Sequence, residues 1–220
     1  MRRQAVEQAT RRWIDKFVIK ERLCPFAAAS RIIIRTDTFG RNKLPSQRVD
    51  DASWHLDPLR DQSHAAIALA AIQRAELEVR TLLEEHVESE ASSNLFIVWP
   101  VGLQQMATFR SFVALLAQRS GVDFAGVTGE GADSPAVAFP FHPQAQEYKF
   151  ASPFPMAHFI PQAELSRARR QLKARKATGK SCLLSRNLSL MREASRTQRD
   201  GWDELLAACR RDAAREGPTL

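Results

Sequence analysis

The chain lacks the short motifs that mark the commonest nucleotide-binding and metalloprotease sites. It contains no GxGxxG, no GxxxxGK[ST] and no HExxH sequence, so it offers no dinucleotide fingerprint, P-loop or zincin helix. It also contains no CxxC pair, and its three cysteines are far apart, at Cys24, Cys182 and Cys209. An odd number of widely spaced cysteines does not build a disulfide framework and suits a reducing compartment.

Long hydrophobic runs are also missing. No apolar stretch approaches the roughly 18 residues that a membrane-spanning helix needs. Residues 1–13 are basic but contain no apolar core of a secretory signal peptide. We therefore expect an intracellular, cytoplasmic protein without a membrane span, with an organellar transit peptide as the alternative reading of the basic N-terminus.

Positive charge is concentrated in the last quarter of the chain. The 220 residues have a formal net charge of +7. Residues 1–164 carry 18 Lys and Arg against 19 Asp and Glu, whereas residues 165–220 carry 14 against 6. The sequence predicts a nearly neutral domain over 1–173 and a basic helical C-terminal extension over 174–220.

Apolar residues alternate between helical and strand periods along the chain. Spacings of three and four predict amphipathic helices over 5–23, 63–86 and 105–119. Asp61 or Ser63 would cap the second helix, and Gly121 would end the third. Apolar runs rich in β-branched and aromatic residues predict strands at 31–36, 94–100, 124–127 and 136–142.

This order predicts an α/β or α+β sandwich in which helices cover a small sheet of three to four strands. Pro140 should restrict the last strand to an edge or a bulge, and the polar residues 37–62 predict a long loop or insertion. Since proline is tolerated in a first turn, a helix is expected from near Pro155 to about Lys176. Two short helices are expected at 183–195 and 202–215.

Two proline-rich segments hold most of the groups able to do chemistry. Leu23–Ala27 contains Cys24, and Phe139–Phe159 contains His142 and His158. Proline fixes φ, so reactive groups set among prolines favour a built site over a solvated loop. Within the second segment, the candidate ligand-binding residues are Tyr148, Ser152 and Pro153.

The chemistry depends on whether Cys24, His142 and His158 converge. If they do, one possibility is a nucleophile pair of cysteine and histidine. The other is a Cys/His₂ site with an open position, which would bind a divalent metal for hydrolysis. If they do not, Cys24 is a small buried hydrophobe at a helix end, which does not activate a thiol. The histidines are then hydrogen-bonded loop or core residues.

Two functional hypotheses follow. The first is a small-molecule site formed by these segments, belonging to a thiol- or metal-assisted enzyme. The alternative is a non-catalytic binding protein whose basic tail, residues 165–220, contacts an acidic partner such as nucleic acid. A charge run at helical spacing is, however, usually a solvated helix face.

The same motifs resemble those of a bacterial family known as domain of unknown function 1415. The resemblance covers about residues 6–192, and it rests on the LCPFA sequence at 23–27, the FHP sequence at 141–143, the YKF sequence at 148–150 and the SPFPMAH sequence at 152–158. The family has no established activity, so the resemblance implies positions rather than a reaction.

The chain departs from the family pattern in three places. Arg22 stands where the family tends to have Asn, Ala151 replaces the end of an Asn-rich stretch, and residues 159–161 replace an Arg. If those polar groups bind a ligand in the family, this chain binds it poorly, which favours the second hypothesis.

Overall fold

The computed structural model describes residues 3–19, 31–37, 62–88, 93–125, 134–145 and 151–167, together with 170, 207–209 and 211. Helices and strands alternate in this part of the chain. In chain order they are α1 (Arg3–Trp13), a π-helical segment (Ile14–Ile19), β1 (Arg31–Thr36), α2 (Gln62–Glu88), β2 (Ser93–Val98), α3 (Met106–Arg119), β3 (Asp123–Phe124), β4 (Ala136–Phe141) and β5 (Met156–Pro161). Residues 162–167 form a further helix, α4.

The strands form one mixed sheet in the order β1-β2-β5-β4-β3. β1 runs parallel to β2, and β3 runs parallel to β4, while β5 lies between the two pairs and is antiparallel to both neighbours. The α/β class predicted from the sequence is confirmed. The described sheet has five strands, however, and not the three to four that were expected.

The additional strand is β5, where a helix beginning near Pro155 was predicted. That prediction was wrong, because residues 156–161 pair along their length with β4 and over four positions with β2. Five of the six residues of β5 are buried. A continuous apolar run of this length fits a buried strand and a helix equally well, and two hydrogen-bonded neighbours decide for the strand. The helix that was expected there, α4, begins only at residue 162.

α2 and α3 cover one face of the sheet. α2 connects β1 to β2 and α3 connects β2 to β3, and both connections advance across the sheet in the same direction. Right-handed crossovers that advance in one direction place their helices on one face. The core beneath them contains Val79, Leu82, Leu95, Ile97, Trp99, Phe109, Leu116, Ala138 and Phe159.

α1 and the π-helical segment cover the opposite face. Their buried residues pack on the even-numbered residues of β1 and β2, forming a cluster that contains Val6, Trp13, Ile14, Val18, Ile34, Phe96, Val98, Phe154 and Met156. Cys209, from the predicted C-terminal extension, is buried in the same cluster. The described protein therefore has three layers, with the sheet in the middle.

Pro140 shows why β4 accepts a proline. The Ala125 N–H donates to the Ala138 carbonyl, so the backbone polar groups of Ala138 point toward β3. Because this direction alternates along a strand, the same holds for Pro140, two residues further on. β3 ends at Phe124, which is paired with Ala138. The missing N–H of Pro140 thus falls beyond the end of the β3 ladder. β4 lies between β5 and β3, so the predicted edge strand was wrong, and the proline is accepted because the neighbouring β3 is short.

Several predictions concern residues outside the described part of the chain: Cys24, Asp61, Tyr148, nearly all of the 37–62 loop and most of the C-terminal extension with its two short helices. Ser63 lies inside α2 and does not cap it. The division into a domain and an extension stays a prediction. None of the helices in the described ranges combines the length and apolar character needed to cross a bilayer.

Gly121 follows the C-terminal end of α3, as predicted, in a left-handed backbone conformation that favours glycine. Its φ is +65°, and a Cβ added there would meet no atom within 4 Å. We expect Gly121→Ala to lower the free energy of unfolding by about 1 kcal/mol, because only the left-handed backbone is penalised. Urea denaturation measures this change. Ser120→Ala, at φ −80°, is the control, and equal losses in both variants would contradict the explanation.

Candidate functional site

Most of the described part of the second proline-rich segment lies at one end of the sheet. The carboxyl ends of β1, β2 and β4 lie at this end, together with the beginning of β5, because β5 runs antiparallel to the other strands. His142 pairs with Ala151 through an isolated bridge. The Trp99 N–H donates to the Pro155 carbonyl over 2.9 Å. The sequence around 151–155 is thereby fastened to two strand ends.

His142 is fully buried, and both of its ring nitrogens take part in hydrogen bonds. The Gln144 N–H donates to Nδ1 over 3.0 Å, and Nε2 lies 3.0 Å from the Leu103 carbonyl. A nitrogen that accepts cannot carry a proton, so Nδ1 is bare and Nε2–H is the donor to Leu103. This neutral tautomer has no lone pair left for a metal ion or for a proton from a substrate.

The hydrogen bond from His142 Nε2 to the Leu103 carbonyl stabilises a turn with two residues at positive φ. Gly102 has φ 79°, and Leu103 has φ 56°, in the left-handed region that costs a residue with a side chain about 1–2 kcal/mol. Leu103 is buried, and its carbonyl accepts the His142 proton. The Phe109 ring of α3 packs against the imidazole at a centroid distance of 5.3 Å. His142 therefore joins the end of β4 to the turn between β2 and α3.

Ser152 and Pro153 belong to the turn that leads into β5. The Ser152 hydroxyl donates to the Phe154 carbonyl over 2.6 Å, and Ser152 is fully buried. Ser152 was considered as a helix N-cap, but a strand follows it and its hydroxyl closes a turn. In this geometry the hydroxyl proton is already used within the protein.

His158 lies inside the sheet, in the middle of β5 and paired with Phe96 of β2 and Phe139 of β4. Its Nε2 lies 3.0 Å from the Asn94 Oδ1, and its ring stacks on Phe96 with centroids 4.0 Å apart and planes at 11°. Burial lowers the pKa of His158 to about 3. The imidazole is therefore neutral at physiological pH, with Nε2–H donating to the amide oxygen.

The two histidines do not converge. His142 packs against Phe109, on the face that α2 and α3 cover, whereas His158 stacks on Phe96, on the face that α1 covers. The sheet lies between them, so one metal ion cannot be bound by both. Among the described residues no three His, Cys, Asp or Glu side chains are grouped as a metal site. Cys24 and Tyr148 are outside the described residues.

Sequence reasoning missed a groove of about 730 Å³ between α1 and β1. We call it the α1–β1 groove; its charged lining residues are Glu7, Arg11, Arg12, Asp15, Lys16, Arg31 and Arg35. The signal in the sequence was the RR pair inside α1 and the two arginines that flank the isoleucines of β1. Neither could be assigned to one surface before the packing of α1 on the sheet was known.

The comparisons with known proteins add no relatives. No family model matches the chain, no curated protein matches it, and no solved structure matches it. The resemblance to the domain of unknown function 1415 family stays a prediction.

The structural role of His142 predicts a large loss of stability on its removal. We expect His142→Ala to lower the free energy of unfolding by about 3 kcal/mol, because a buried carbonyl and a backbone N–H lose their partner and a cavity remains. Urea denaturation measures the loss. Gln144→Ala is the control, since its side chain is exposed and only its backbone N–H bonds to His142. A change below about 0.5 kcal/mol in His142→Ala would contradict this role.

His158 predicts a specific dependence of stability on pH. Its folded pKa of about 3 is below the unfolded value of 6.5, so the unfolded chain takes up the proton first as the pH falls. The neutral ring's contribution to the free energy of unfolding is fully present above pH 6.5 and is lost by about 1.4 kcal/mol per pH unit between pH 6.5 and about 3.

Unfolding free energies measured between pH 7 and pH 5 test this dependence against the double variant Asn94→Leu/His158→Phe, which removes the titrating ring and its polar partner together. We expect a shallower pH dependence in the double variant. Identical slopes in the two proteins would show that His158 is not the source.

Proposed function

We propose that this protein is a non-catalytic binding protein that contacts an acidic partner through the α1–β1 groove. The observation that carries the proposal is the basic lining of that groove, which has five Lys and Arg against two Asp and Glu. It stands out because residues 1–164 as a whole carry slightly more acidic than basic side chains.

The alternative of a catalytic site finds no support among the described candidates. His142, Ser152 and His158 are all buried, and each forms a hydrogen bond inside the protein. A general base or nucleophile must reach the substrate with an available lone pair or proton. Neither condition is met by His142, whose two nitrogens are engaged.

Arg11 of α1 and Lys16 of the π-helical segment contribute most to the field of the groove. Arg31 and Arg35 pair with Glu85 and Glu78 of α2, which neutralises much of their field. Glu7 of α1 pairs with Arg3 in the same way. The lining also contains Arg11 and Lys16, and Asp15 is its other carboxylate. A concave surface with this imbalance attracts anionic side chains or phosphates.

The basic tail predicted from the sequence fits the same function. Residues 165–220 hold an excess of eight positive charges, and attraction by two basic regions would be additive at low salt. We therefore retain the tail as a second contact for the acidic partner.

The test uses the full-length protein and a fluorescent poly-glutamate probe in a salt titration. We expect Arg11→Glu/Lys16→Glu to weaken binding by about tenfold at low salt, because two attractive charges become repulsive. The control is Arg80→Glu/Arg110→Glu, which makes the same change of charge at exposed positions of α2 and α3. An equal loss in both variants would assign binding to overall charge, and no binding by the native protein would refute the proposal.

A further inference from the structure

β1 is an edge strand, and no described strand pairs with its outer side. Among the described strands only β2 pairs with it. The Asp37 N–H, just beyond β1, donates to Val98 of β2, so odd-numbered residues have their backbone polar groups toward β2. The N–H and C=O groups of even-numbered residues therefore point outward, away from β2. The hydrogen bond that Arg11 Nη2 donates to the Ile32 carbonyl over 2.9 Å agrees with this alternation.

We propose that β1 receives an acidic peptide segment of a partner protein, which adds to the sheet as a further strand. The inference rests on the proposed function and deepens it, since it names the chemical class of the partner and its mode of binding. An exposed edge supplies main-chain hydrogen bonds for affinity, and the side chains on either side of it supply specificity. The added strand would form hydrogen bonds with the outward-facing backbone N–H and C=O groups of Ile34 and Thr36.

The two sides of the groove predict where the acidic residues of the peptide lie. On the side of α1, the added strand would face Arg11 and Lys16. On the side of α2, it would face Arg31 and Arg35, which Glu85 and Glu78 already neutralise. Because strand side chains alternate between faces, every second residue of the peptide should be acidic and the others uncharged.

Arg11 has a defined part in this arrangement. Its guanidinium covers the first outward carbonyl of β1, that of Ile32. A charged side chain that lies against an edge strand discourages unspecific pairing with other chains. An acidic residue of the correct partner would instead be attracted to the same guanidinium. The edge is thereby selective for an acidic strand over an apolar one.

A nucleic acid offers the same negative charge but no peptide N–H and C=O groups in strand spacing. It would satisfy the basic side chains of α1 and leave the outward groups of Ile34 and Thr36 unpaired. The main-chain contacts therefore distinguish the two classes of partner, and the peptide is the one that uses both the charge and the edge.

The experiment uses the full-length protein and a peptide in which Glu alternates with Thr over the six residues that β1 contains. Binding is measured by fluorescence anisotropy, and amide hydrogen exchange is followed by NMR. We expect the Ile34 and Thr36 amides to gain protection on binding. A peptide N-methylated at alternate residues, on the edge that pairs with β1, should bind at least about fivefold more weakly, because it cannot donate to the edge.

A pair of protein variants tests the same contact from the other side. Thr36→Pro removes one outward N–H at a position where no bond to β2 is lost. Thr36→Val keeps that N–H and reports the effect of losing the hydroxyl, whose oxygen has no partner among the described residues. We expect Thr36→Pro to weaken peptide binding about fivefold more than Thr36→Val does.

The outcomes separate this inference from the proposed function. Salt-sensitive binding in which the N-methylated peptide binds equally well and Ile34 gains no protection would overturn strand addition and leave the basic groove intact. Binding of poly-uridine, but of no acidic peptide, would also overturn strand addition and identify a nucleic acid as the acidic partner. Failure of the peptide, poly-glutamate and poly-uridine alike would refute both.

Discussion

The arrangement of the sheet depends on the insertion of β5 between two parallel pairs of strands. β1 with β2 and β3 with β4 would otherwise be two small sheets, each with two open edges. β5 pairs with β2 on one side and β4 on the other, and its register places His158 toward α1 and Phe159 toward α2 and α3. Both hydrophobic cores are thus continuous across the sheet because one antiparallel strand joins its halves.

That insertion also explains why the two histidines have structural roles. His158 occupies the centre of a strand with neighbours on both sides, where charge would be desolvated, and it is neutral with Asn94 as its partner. His142 follows the strand paired with β5 and fixes Leu103 in a left-handed conformation. Buried polar groups must be hydrogen-bonded to avoid a large desolvation cost, and both rings meet that requirement inside the protein. At the surface, the α1–β1 groove is lined by more basic than acidic side chains.

Much of the fold could be predicted from local patterns. β1 has the predicted bounds, β2 and β4 differ by one or two residues at their ends, and α3 ends at Gly121 as its conformation requires. β5 could not be predicted, since prolines before an apolar run suit the start of a helix or of a strand. The candidate site was less predictable still. The sequence left open whether His142 and His158, 16 positions apart, converge, and in the structure the sheet lies between them.

The amino-acid sequence by itself determined the α/β class, most strand and helix positions, and the concentration of positive charge toward the C-terminus, because these depend on residue type and short-range periodicity. Only the tertiary structure decided which strands are neighbours, which face each histidine occupies, and that Arg11 and Lys16 line a groove beside β1. Such relations depend on contacts between residues distant in the chain. The periodicity of one element does not contain them, since it specifies an apolar face and not the partner that the face will meet.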